Sequence, residues 1–146
     1  MYKILLATDG SEHTQKVIEE ALPIAESIQA SVTILTVISE HGFENRIAGE
    51  VSSEKWNDIK QYQHKEAEEM VEKAAQPFRE KNLKVETKVV AGKMGEADLI
   101  CEEAREGSYN LIILGSHGLR GIKEMILGSV SNKVAHIGCK SILIVK

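Results

Sequence analysis

The chain has 146 residues, 42% of them hydrophobic, and a formal net charge of -4. That length suits one domain over residues 1–146 with a substantial core and is too short for two. The charge balance leaves no footprint for nucleic acid, and no apolar run approaches the ~20 residues of a membrane span. Met1-Tyr2-Lys3 leads straight into Ile4-Leu5-Leu6-Ala7, too short for the apolar segment of a secretory signal, so the expected location is cytoplasmic. Two cysteines, Cys101 and Cys139, form neither a disulfide framework nor a metal spacing. Both are read as buried free thiols in helical contexts.

Taken in order, Tyr2 to Thr8 is a short apolar run followed at once by Asp9-Gly10-Ser11, which predicts a strand, a tight turn and an N-cap. Val17, Ile18, Ala21, Leu22, Ala25 and Ile28 then mark one buried face of a first helix. Pro23 is expected to bend it, because its ring removes a backbone bond. Ser31 to Ile38 reads as a second strand, so the chain opens β-α-β and points to a parallel sheet with right-handed crossovers. Ser39 to Ser53 has no period and reads as a long loop, of a length that is often functional or mobile.

Ser52 or Ser53 can cap a helix running to about Asn82. Along it Trp56, Ile59, Gln63, Ala67, Met70, Ala74 and Phe78 recur at helical spacing, a stripe read as core contact. Lys84 to Ala91 predicts a third strand and Gly92 to Gly95 a turn. A helix follows from Glu96 to Glu106, ended by Gly107 as a C′ glycine. Leu111 to Leu114 fits a buried parallel strand, Ser129 to about Ile137 a last helix before Gly138, and Ser141 to Val145 a fifth strand. Five strands alternating with four helices predict an α/β, doubly wound sheet.

The stretch after the fourth strand holds the clearest chemical signal. Gly115, Gly118 and Gly128 let backbone N–H groups come close to a ligand, and a helix starting at Ser129 adds free amides at its positive end. One reading is a phosphate cradle made of backbone. The plainer one is a loop whose glycines serve tight turns and whose Ser129 is only an N-cap. Neither G-x-G-x-x-G nor G-x-x-x-x-G-K-[ST] occurs in the chain. After the first strand stands Asp9 instead, a carboxylate suited to a base or ribose donor, or simply to the amides of its own turn. Arg120 and Lys123 suit phosphate neutralisation or a solvated loop, and His117 is read as a loop histidine with a backbone contact.

Gly115-x2-Gly118-x9-Gly128-Ser129 resembles the nucleotide-binding pattern of the universal stress protein family, in its ATP-binding branch. Met1 to Ser11 is similar to that family's opening strand and acidic turn, and Gly128 to Lys146 to its last helix and strand. The resemblance covers the whole chain. The turn Gly92-Lys93-Met94-Gly95 departs from it, because the family more often has a proline there. It implies a Rossmann-like, nucleotide-binding α-hydrolase type of fold with a five-stranded parallel sheet in the order 3-2-1-4-5. Ligands of such sheets lie beyond the carboxyl ends of the strands, where the order reverses, which is between Asp9 and Gly115.

The resemblance also assigns roles. Ala7, Thr8, Asp9 and Val37 match the base and ribose side. Gly115, Ser116, Gly118, Gly128, Ser129, Val130 and Ser131 match the phosphate side, with His117 between the glycines. The implied cofactor is ATP, with magnesium or manganese held by the phosphates, because no second carboxylate or Asp/Asn pair accompanies the glycines. The expected activity is nucleotide holding with little or no fast turnover. The alternative is slow ATP hydrolysis or self-phosphorylation using His117 and the hydroxyls of Ser129 and Ser131. Ser141 to Val145 is apolar, with charge only at Lys140 and Lys146, and carries no proline or inward charge to blunt an exposed edge. It predicts a homodimer through the last strands, which the family resemblance also implies; the competing expectation is an edge covered by residues 39–53.

Overall fold

The computed structural model describes residues 1–40, 52–116 and 128–146. Five strands, β1 (Lys3–Ala7), β2 (Ser31–Ser39), β3 (Val85–Gly92), β4 (Leu111–Gly115) and β5 (Ser141–Val145), form one sheet in the order β3-β2-β1-β4-β5. Every pairing is parallel. Four helices connect them among the described residues: α1 (Thr14–Ser27), α2 (Ser53–Glu80), α3 (Glu96–Glu106) and α4 (Ser129–Ile137). This is the doubly wound order expected from the family resemblance.

The helices cover both faces, and alternate strand residues feed two apolar clusters. Ile4, Leu6 and Ile34 face α1 and α2, where Val17, Ala21, Val71 and Phe78 meet them. Leu5, Leu35 and Ile112 face α3 and α4, against Ala97, Ile100, Cys101, Ala104 and Val134. Both clusters are fully buried at their centres, as in Phe78, Leu5 and Ile112 at 0% exposure. Burying one such side chain contributes about 1.5–3 kcal/mol, so the sheet needs no cross-link to hold it.

Ser52 caps α2 by accepting the Lys55 amide at 3.3 Å. Of the stripe along α2, Ala67, Ala74 and Phe78 are core; Trp56, Ile59, Gln63 and Met70 are half-buried and Tyr62 is exposed. The cause is length, since a helix of 28 residues outruns the strands it packs on. α1 and α2 each continue past a proline, Pro23 and Pro77, without a break. Gly107 is the C-cap of α3 with an ordinary φ of -80°, and the left-handed residue is Ser108 at φ 54°. The glycine is required there by contact instead, because a Cβ would lie 2.2 Å from the Tyr109 ring. Cys139 differs too: it follows the cap of α4 and is half-buried, whereas Cys101 is buried on α3.

Candidate functional site

At the reversal point β1 runs between β2 and β4, so residues 7–9 emerge with Val37 on one side and Gly115-Ser116 on the other. Ala7 is buried at the end of β1, and Val37 is half-buried on β2, paired with Val90. The Thr8 amide donates to the Leu35 carbonyl at 2.8 Å, carrying the ladder one residue further. The Thr8 hydroxyl lies 2.6 Å from that of Thr14 and accepts the Gly10 amide at 3.2 Å. Asp9 accepts the Ser11 amide at 2.9 Å, and Gly10 stands at φ 75°. Asp9 therefore serves its own turn, and its exposed position leaves it facing solvent as well.

The other wall is tied together by backbone. The Ser116 amide donates to the Val145 carbonyl at 2.7 Å, and the Gly128 amide donates to the Ser116 carbonyl at 2.5 Å. The end of β4 is thus joined directly to the start of α4. His117, Gly118, Arg120 and Lys123 lie outside the described residues. Gly128, extended at φ -67° and ψ 163°, is the N-cap, so Ser129 is the first helical residue and not the cap itself. Ser129 is exposed and Val130 half-buried, while Ser131 is buried with its hydroxyl donating to the Gly128 carbonyl at 3.1 Å. The amides of Ser129, Val130 and Ser131 have no acceptor among the described residues, as the first turn of a helix dictates.

Two of the glycines answer to protein neighbours. A Cβ on Gly115 would lie 2.5 Å from His13 Cδ2 and 3.2 Å from Val17 Cγ2. One on Gly128 would lie 2.8 Å from the Ser116 carbonyl oxygen, a backbone atom that cannot step aside. His13 went unnoticed in the sequence. Its Nε2 lies 2.7 Å from the Val145 carbonyl, and since a carbonyl only accepts, Nε2 is the donor. The imidazole thereby joins the start of α1 to the end of β5, over Gly115. Nothing local in Glu12-His13-Thr14 signals this.

Among the described residues no group of three His, Cys, Asp or Glu side chains is placed to hold a metal ion, and no buried side-chain nitrogen or oxygen lacks a partner. What the crevice offers a ligand is therefore backbone N–H, the Ser129 hydroxyl and the positive end of α4, a set suited to an anion. A separate groove of about 430 Å³ lies between the overhang of α2 and the ends of β2 and β3, floored by Ile38 and Ala91. Along it Lys60 pairs with Glu40 at 3.6 Å, and the His64 Nε2 lies 3.0 Å from a Glu68 carboxylate oxygen. Among the described residues no helix is long and apolar enough to cross a membrane.

A five-stranded parallel sheet with this reversal and a glycine-gated helix start defines a doubly wound α/β protein with an anion-ready crevice. The model of the universal stress protein family matches residues 1–146, and the chain belongs to that family. It is 34% identical over 147 residues to the universal stress protein YxiE of Bacillus subtilis, covering 99% of this chain and 98% of that one. The solved structure of MJ0577, a Methanocaldococcus jannaschii universal stress protein, superimposes with a TM-score of 0.83 at 30% identity, covering 99% of this chain and 94% of that one. A universal stress protein of Archaeoglobus fulgidus, solved in complex with dAMP, shares the fold at a TM-score of 0.67 and 20% identity, with 100% and 98% covered.

Proposed function

We propose that the protein holds ATP in the crevice between Asp9 and Gly115 and acts as a stress-linked or regulatory module with little or no turnover. The observation that carries this reading is the first turn of α4, where three amides without acceptors among the described residues stand beside an exposed serine at the sheet's reversal point. Phosphates take those amides, Gly115 and Ser116, with His117 and Gly118 entering from the sequence alone. Adenine and ribose take Ala7, Thr8, Asp9 and Val37. The dAMP complex of the Archaeoglobus fulgidus protein supports an adenine nucleotide as the class of ligand. A magnesium or manganese ion would rest on the phosphates and neutralise part of their charge. Isothermal titration of the wild-type protein with ATP and magnesium should show binding, and mass spectrometry of gently purified protein should find co-purified nucleotide. Undetectable binding at millimolar ATP would sink the reading.

The same reading takes the protein as a homodimer through β5. β5 ends the sheet order, and Ile142, Leu143 and Ile144 are each half-buried within a single copy. Pairing two such edges across a two-fold axis satisfies their open N–H and C=O groups. Light scattering at tens of micromolar should report a dimer that Ile144→Lys or Leu143→Pro weakens. A monomer at that concentration counts against it.

A further inference from the structure

We propose that His13 is a positioning residue of the nucleotide site: it holds the end of β5 so that the β4–α4 joint presents the amides of Ser129, Val130 and Ser131 to an anion. The inference rests on the reading of the crevice given above and concerns what keeps that crevice in shape. The joint hangs on two hydrogen bonds in series. The Gly128 amide donates to the Ser116 carbonyl at 2.5 Å, and the Ser116 amide donates to the Val145 carbonyl at 2.7 Å. The same Val145 carbonyl takes a second donor, His13 Nε2, also at 2.7 Å. A carbonyl oxygen has two acceptor positions, and His13 and Ser116 use both. A shift of that carbonyl is passed to Ser116, and through Ser116 to Gly128, the N-cap of α4.

His13 is mounted to do this. It is the N-cap of α1, and its own carbonyl accepts the Val17 amide at 3.2 Å. Val17, 3% exposed, packs in the core with Ile4, Leu6 and Ile34, so the imidazole stands on a fixed element. It reaches Val145 by crossing the end of β4 over Gly115, where a Cβ would lie 2.5 Å from Cδ2 and 3.3 Å from Nε2. Gly115 and Val145 are paired, each the last residue of its strand. The imidazole thus adds a bond where the regular ladder stops. A packing role would be kept by any side chain of similar bulk. A donor role is kept only by one that sets an N–H where Nε2 stands, and glutamine, whose amide nitrogen lies about as far along its side chain, can do so.

The test compares wild type with His13→Ala, His13→Leu and His13→Gln by amide hydrogen exchange without nucleotide and by titration with ATP and magnesium. The Ala and Leu variants should speed exchange at Ser116 and Gly128 by roughly three- to tenfold more than at the β2 and β3 amides, and weaken ATP by a similar factor. The Gln variant should restore both. At mildly alkaline pH the wild-type imidazole ¹⁵N pattern should place the proton of neutral His13 on Nε2. A proton on Nδ1, a Leu variant that changes Ser116 and Gly128 no more than the β2 and β3 amides, or a Gln variant that behaves like Leu would each overturn the proposal. Should the wild-type protein bind no ATP, the reading of the crevice falls, and the exchange pattern by itself decides whether His13 positions the joint. Should the Ala and Leu variants fail to fold, the wild-type tautomer and the exchange pattern of His13→Gln decide.

Discussion

The crevice at the β1–β4 reversal and the flank where β3 meets α2 and α3 use polar atoms in opposite ways. On the flank, charged side chains are matched within the chain. Glu103, its side chain only 7% exposed, takes Lys88 at 2.5 Å, and Glu72 takes Arg79 and the Thr87 hydroxyl, each at 2.7 Å. The Tyr109 hydroxyl donates to Thr33 at 3.0 Å in the interior, and Lys3 lies 4.6 Å over the same ring while bonding the Gly107 carbonyl. In the crevice, the groups without an acceptor among the described residues are backbone amides at a helix start. Stability that depends on ionisation is thereby placed on the flank, and the anion binding proposed for the crevice would rest on groups that do not titrate. Changes in one region should leave the other's property intact.

The largest effect should come from Gly128→Val. Its Cβ meets the Ser116 carbonyl, so the joint between β4 and α4 must open. Titration should show ATP affinity falling by well over about tenfold, more than 1.4 kcal/mol, with a lower Tm as well. Lys88→Met reverses the pattern. It leaves the buried Glu103 carboxylate without its cation, costing about 1–2 kcal/mol once the half-exposed lysine is discounted, while ATP affinity stays unchanged. Urea denaturation of the two variants beside their titrations separates the regions; a Lys88→Met protein that also loses ATP would break the comparison.

The smallest effect is in pH. Lys88 is raised above its ordinary 10.5 by the hydrogen bond it donates to Glu103, and Cys101 is raised from 9.0 to about 12 by burial. A raised group contributes stability that is complete below its unfolded value and is lost as pH rises through its folded value. Tm should therefore begin to fall above pH 9, with the Cys101 contribution gone near 12, and Cys101→Ala should flatten the first part of that decline. Glu72 is held below its ordinary 4.5, first by Arg79 and then by Thr87. Its contribution is present above that value and fades in acid, and it is small because the pair is exposed. An alkaline decline identical in Cys101→Ala would contradict this assignment.

Much of this fold is legible in the sequence because each strand is a bounded apolar run and each helix keeps one apolar face. Strand order is not written in any such pattern and came from the family resemblance. Period alone also cannot say where a sheet ends, which is why Trp56 and Ile59 read as core on a helix that overhangs it. The glycines signalled a special place, but Gly115 is fixed by His13 and Val17, and Gly128 by the Ser116 carbonyl, contacts between distant segments. The His13 bond to Val145 is of the same kind. A side chain's partner across the fold leaves no trace in its neighbours along the chain.

The central claim, that backbone amides of the α4 start hold the phosphates, is tested most directly by following backbone ¹H–¹⁵N resonances during an ATP titration with magnesium. The account predicts the largest shifts at Ser129, Val130 and Ser131, smaller ones from Ala7 to Asp9, and unmoved signals at Glu72, Lys88 and Glu103. Saturable shifts that cluster on the groove of Ile38, Lys60 and His64 instead, with Ser129 to Ser131 unmoved, would contradict it.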